Sequence, residues 1–157
     1  MSDHSKISLN DMFGFDQSQL DAMANLGADL YEQGRTKEAA IIFEGLIALA
    51  DTYYGYAGMG AILLAQERFD EAVAYLTRAV ELNSGDPTVR ANLGEALLKK
   101  GQFNEAAAEF EKALNLDPNK KNPGAIRARA ILQGMEAAEG EMGRLRALVE
   151  ASQAAKA

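Results

Sequence analysis

Apolar residues recur along this chain at steps of three and four, in runs separated by glycine, proline and polar turns. Between Pro87 and Lys120, Leu93 and Leu97, then Ala106, Phe110 and Ala113, give two segments one apolar stripe each, which predicts a pair of amphipathic helices. Asp86-Pro87 is a helix start, with an acidic cap and Pro in the first turn. Gly101 separates the two helices and Pro118 closes the unit. The pattern recurs upstream: Gly60 and Gly94, Phe69 and Phe103, Ala72 and Ala106, and Ala79 and Ala113 are each 34 residues apart. Residues 53–86 carry Tyr56, Met59-Gly60, Leu63, Phe69, Ala72, Leu76, Ala79 and Leu82, with Glu67 replacing the turn glycine and Ser84 the closing proline. Residues 20–52 carry Leu26-Gly27, Leu30, Gly34, Ala39, Phe43, Leu46 and Leu49, in a unit one residue shorter.

A 34-residue period of helix pairs is that of the tetratricopeptide repeat, which the third unit resembles most, with Leu97 in an aromatic slot and Arg90 where Trp is common. The resemblance implies an all-α solenoid of three helix-turn-helix repeats, 20–52, 53–86 and 87–120. Gly94 and Ala106 are small where two helices are expected to cross. Ahead of the repeats lies an arm, residues 1–19, with Leu9, Met12, Phe13 and Phe15; Ser8 or Asn10 is placed to cap a short helix there. So many apolar residues do not suit a solvated tail. The arm either packs on the first repeat or forms a subunit contact, which would make a homodimer. After the repeats, Asn122-Pro123 is another helix start, and Ile126, Ala130, Ile131, Met135, Ala138 and Met142 step along one face. A C-terminal capping helix is expected over 121–150, covering the last apolar face. Gly134, Gly140 and Gly143 suggest a kink or break near residue 140, and residues 151–157 read as a frayed tail.

Composition narrows the function. The net charge of −7 comes from 23 acidic and 16 basic residues. It is uneven: residues 1–86 balance at 5 − 14 = −9 and residues 87–157 at 11 − 9 = +2. Such a balance argues against nucleic acid and leaves open an attraction between the acidic half and a basic partner. There is no cysteine and a single histidine, His4, so neither a thiolate metal site nor a catalytic triad can be assembled. Asp70-Glu71 and Glu109 with Glu111 read as solvated helix faces. Gly58-Met59-Gly60 follows no strand and precedes no Lys-Ser/Thr, so it is not a phosphate loop. The expectation is a binding protein without catalytic residues, metal or cofactor. No apolar run is long enough for a membrane span and no signal-peptide pattern is present, which points to the cytoplasm.

In the tetratricopeptide family, five positions of each first helix face the concave side. Here they are Asp21, Ala24, Ala28, Tyr31 and Glu32; Tyr54, Ala57, Ala61, Leu64 and Ala65; and Thr88, Ala91, Glu95, Leu98 and Lys99. The candidate groove residues are therefore Ala24, Ala28, Tyr31, Tyr54, Ala57, Ala61, Leu64, Ala65, Ala91, Glu95 and Leu98. Alanines beside larger apolar residues leave hollows suited to an extended protein or peptide client carrying Pro, Leu or Val. The alternative is that the chain's own arm or tail fills the groove. The carboxylate clamp of some co-chaperone repeats is missing, because its slots hold Ala24, Ala28, Thr88 and Asn92.

A more specific resemblance lies in the stretch from Glu38 to Asp51, with Phe43, Leu46 and Leu49, leading into Tyr53-Tyr54 and then Gly58, Gly60, Ala61, Gln66, Phe69 and Ala72. This is similar to the class II translocator chaperones of type III secretion. Leu46, at a slot that is alanine in the other two repeats, also matches that family. The resemblance implies a cytosolic chaperone that keeps membrane-active translocators soluble before export, by equilibrium binding without ATP. The alternatives are a general adaptor or scaffold in a bacterial assembly, and a structural subunit of a secretion or motility machine.

Overall fold

The computed structural model describes residues 9–156; His4, Ser8 and the side chain of Asn10 lie outside the described residues. All regular structure among them is helical: α1 (Leu9–Phe13), α2 (Gln17–Glu32), α3 (Thr36–Ala50), α4 (Tyr53–Ala65), α5 (Phe69–Leu82), α6 (Pro87–Lys99), α7 (Phe103–Asn115) and α8 (Pro123–Ala154). Three hairpins, α2/α3, α4/α5 and α6/α7, stack in chain order, and α8 lies against α6 and α7. Each first helix touches the next first helix, α2 with α4, α4 with α6 and α6 with α8, whereas α3, α5 and α7 do not touch one another. The row of first helices is therefore the inner, concave layer.

The turns follow from local chemistry. Gly34, Glu67 and Gly101 occupy the equivalent turn position and all have positive φ, +77°, +59° and +79°. Glycine enters this region freely and glutamate does so at a cost. Asp86 caps α6 by accepting from the Thr88 amide at 2.7 Å, and Asn122 caps α8 by accepting from the Ala125 amide at 3.0 Å. Asp16 and Gln19 form a reciprocal capping box at 2.9 Å in both directions, so α2 opens at Gln17, three residues ahead of Leu20.

Glycine 27, 60 and 94 each lie under the residue sixteen positions later. A Cβ added there would lie 2.8 Å from the Phe43 ring, 2.6 Å from Leu76 and 2.6 Å from the Phe110 ring, respectively. Helix α4 carries two more. A Cβ at Gly58 would lie 2.5 Å from Phe43, and one at Gly55 would lie 2.6 Å from Ile47. Three glycines weaken a helix by about 1 kcal/mol each. In α4 each one admits a side chain of α3 or α5, so packing replaces propensity. The buried core falls in two clusters along the stack, one around Leu20, Phe43 and Leu46 and one around Leu76, Leu93 and Phe110, with Tyr75 half-buried against both.

The two ends of the chain differ from expectation in detail. In the arm, Phe15 packs on the first hairpin, but Met12 and Phe13 remain exposed. Helix α8 runs without a break through Gly140 and Gly143 to Ala154, so neither the kink near residue 140 nor a frayed tail from 151 is found. Glycine lowers propensity but leaves the backbone hydrogen-bonding groups in place, and nothing presses on either residue.

Candidate functional site

The inner layer carries a cleft of about 590 Å³ that spans α2, α4, α6 and α8. Its apolar side is Tyr31 from α2, Ala61, Leu64 and Ala65 from α4, and Phe69 from the start of α5. Its polar side is Thr88, Asn92, Glu95 and Lys99 from α6 and Arg127 from α8, with Glu67 at the turn. Five of the eleven candidate residues, Tyr31, Ala61, Leu64, Ala65 and Glu95, thus meet in one cavity. None of the described arm or tail residues lines it.

The other six stand elsewhere. Ala24 and Ala91 are buried in the core, at 8% and 0% exposure, and cannot line a groove. They occupy the same slot as Ala57, which is half-buried against the core. The inner helices touch one another, and small side chains permit that approach. Leu98 likewise packs on the core, whereas Ala28 and Tyr54 are exposed outside the cavity.

Arg127 is the residue the sequence reading missed. It lies outside the repeats, on the capping helix, and reaches back to α6. Its Nη2 donates to Asn92 Oδ1 at 2.7 Å and its Nε to Glu95. Asn122 Nδ2 donates to Thr88 Oγ1 at 3.1 Å at the same junction. Together these bonds fix α8 as one wall of the cleft. The cleft holds two acids, Glu67 and Glu95, and two bases, Lys99 and Arg127. A strongly basic ligand is therefore not what the cavity itself selects, in spite of the acidic N-terminal half.

Polar bonds between and within repeats hold the cavity's frame. Burial, then the hydrogen bond to Asp86, pushes the Tyr53 hydroxyl well above the ordinary phenol range. Tyr53 thus stays protonated and ties the start of α4 to the cap of α6. Asp51, in left-handed backbone at the end of α3, accepts from the Tyr56 hydroxyl and from Arg78 Nη2, both at 2.6 Å. These two donors, Tyr56 first, hold its carboxyl below the usual carboxylate range. Arg90 Nη1 donates to Glu109 Oε2 at 2.8 Å, linking α6 to α7 with both side chains nearly buried.

Two tetratricopeptide repeat models match the sequence, over residues 19–55 and 63–130. No curated protein matches it closely enough to count as a relative. The fold is similar to a T3SS complex from Aeromonas hydrophila, with a TM-score of 0.72 at 23% identity over 85% of this chain and 91% of that one. It is similar to the Yersinia enterocolitica type III secretion chaperone SycD in complex with a peptide of the translocator YopD, with a TM-score of 0.68 at 22% identity over 79% and 97%. It is also similar to PcrH in complex with the chaperone-binding region of PopB, with a TM-score of 0.65 at 23% identity over 76% and 98%. No helix among the described residues is long and apolar enough to cross a membrane. Three stacked hairpins, covered between them by the two repeat models, make this chain a tetratricopeptide repeat protein, with a fold resembling that of the type III translocator chaperones.

Proposed function

We propose that this protein is a peptide-binding chaperone. It holds an extended segment of a secreted, translocator-type client in the concave cleft and keeps that client soluble in the cytoplasm before export. The observation that carries the reading is the two-sided lining of the cavity. Ala61, Leu64, Ala65 and Phe69 offer an apolar wall with hollows at the alanines. Asn92 and Arg127 stand opposite with amide and guanidinium groups that can pair with a peptide backbone. An extended segment with one or two apolar side chains on one edge suits both walls. Binding is an equilibrium in which apolar surface leaves water, and ordering of the segment offsets much of that gain. The resemblance to SycD, solved with a peptide of the translocator YopD, and to PcrH, solved with the chaperone-binding region of PopB, supports the same client class.

The runner-up, an adaptor joining two folded proteins, draws on a second apolar cleft of about 420 Å³ on the outer side, where half-buried Val73 and Val80 and exposed Ala108 line a gap between α5 and α7. Purification from the native cells separates the two readings. The chaperone reading expects an unfolded or partly folded client that is lost from the Ala61→Glu variant. A folded partner retained by that variant contradicts it.

A further inference from the structure

Helix α8 is 32 residues long, but only its first half touches the repeats. Ala128 is buried, and Ile131 and Met135 pack on the core formed by α6 and α7. Beyond Met135 every side chain is exposed, and residues 136–154 project as a bare helix about 28 Å long. The stripe that faces the core does not stop there. Ala128, Ile131, Met135, Ala138, Met142, Leu145 and Val149 follow one another at steps of 3, 4, 3, 4, 3 and 4. This is the spacing of a coiled-coil seam. Met142, Leu145 and Val149 are 61%, 50% and 56% exposed, so the seam is covered for its first half and open for its second. Gly140 and Gly143 face away from it, with nothing within 4 Å. A helix with two glycines and no tertiary contact is marginal in water.

We propose that the open half of the seam pairs with the same segment of a second copy, antiparallel, about a two-fold axis. Direction follows from the fold. Ile131 and Met135, on the same stripe, already face α6 and α7. A parallel partner in register would bring its own repeats into that place. An antiparallel partner keeps the two sets of repeats at opposite ends of the paired segment, away from each other. Register follows from the pattern. Met142 meets Leu145 of the second copy, and Val149 meets Ala138, each contact occurring twice as an isologous interface requires. Charge agrees with this register. Glu139 and Arg146 flank the seam, have no ion-pair partner among the described residues, and fall opposite each other twice. The interface is small, so the dimer is in concentration-dependent exchange with the monomer. It uses no residue of the cleft and does not rest on the client reading.

Sedimentation equilibrium of the full chain, from micromolar to several hundred micromolar, tests the pairing. The expected mass rises from the monomer's 16.9 kDa toward twice that value. Leu145→Glu removes the rise, and so does ending the chain at residue 137; neither moves the melting temperature of the repeats. Glu139→Arg weakens the dimer, and Glu139→Arg with Arg146→Glu restores it. The chain has no cysteine, so an equimolar mixture of the single variants Ala138→Cys and Val149→Cys reads the direction. Air oxidation links one variant to the other if the helices are antiparallel. In a parallel pair each position meets its own counterpart and lies about 16 Å from the other, so each variant links only to itself. A mass of 16.9 kDa at every concentration overturns the proposal. So does a dimer that survives Leu145→Glu, a result that moves the contact to the exposed Met12 and Phe13 if deleting residues 1–18 then abolishes it.

Discussion

Replacing Gly58 by alanine adds one methyl group to α4, and the structure leaves no room for it. The new carbon would lie 2.5 Å from three atoms of the Phe43 ring, against an ordinary contact of 3.4–4 Å. The ring has little room to retreat, because Phe43 is 5% exposed and also packs on Gly27, where a Cβ would stand 2.8 Å away. Overpacking of this kind costs about 1–3 kcal/mol, from which the better helix propensity of alanine recovers about 1 kcal/mol. The net expectation is a loss of about 1 kcal/mol. Gly45 is the matched control: it lies in the middle of α3, near Phe43, and a Cβ there meets nothing within 4 Å. Gly45→Ala therefore keeps the full gain of about 1 kcal/mol. Urea melts followed by circular dichroism should separate the two variants by about 2 kcal/mol, or roughly 4–8 °C in a thermal melt. In a Phe43→Leu background, which copies the Gly60–Leu76 contact of the second hairpin, Gly58→Ala should cost less than it does alone. A Gly58→Ala variant as stable as Gly45→Ala would show that α4 does not sit against Phe43 as described.

Glu67 holds the left-handed turn position that is glycine in the other two hairpins, so Glu67→Gly should raise the urea midpoint, by about 0.5–1 kcal/mol. Arg90→Ala strands the nearly buried Glu109 carboxylate and should cost about 2 kcal/mol in the same melt, whereas Lys112→Ala, which removes the exposed partner of Glu109, should cost under about 0.5 kcal/mol. Asp51 has a folded pKa below its unfolded one, so its contribution is full above the unfolded value near 4 and is lost as pH falls through the folded value. Its side chain is half exposed, so the effect is about 0.5 kcal/mol, and comparing Asp51→Asn with wild type in melts between pH 2 and 5 should show the difference closing as pH falls.

Much of the fold is legible because its signals are local and repeated. The 34-residue spacing, the turn glycines Gly34 and Gly101, and the caps Asp86 and Asn122 each act within a few residues of where they stand. The capping box of Asp16 and Gln19 was equally readable, and it starts α2 ahead of the first apolar stripe residue. The cavity is less legible. An alanine that lines a groove and an alanine that lets two helices touch have the same sequence signature, and only burial separates Ala61 from Ala24 and Ala91. Arg127 reaches Asn92 and Glu95 from 35 and 32 residues away, on a helix outside the three repeats read from the 34-residue spacing, so that spacing does not point from it to the cleft. The glycines of α8 mislead in the opposite direction, because low propensity near residue 140 coincides with an uninterrupted helix.

The central claim is that an extended apolar segment binds between α4 and α6 on the concave side. Titrating an unlabelled peptide with two or three leucine or valine anchors into nitrogen-15-labelled protein, and following backbone amide shifts, reads the binding surface directly. The account predicts the largest changes at Ala61, Leu64, Ala65, Asn92 and Glu95, with micromolar affinity, and their loss in Ala61→Glu, whose fold and melting temperature stay as in wild type. Shifts concentrated on the outer helices α3, α5 and α7 or on the arm, or undiminished binding by a folded Ala61→Glu variant, would contradict it.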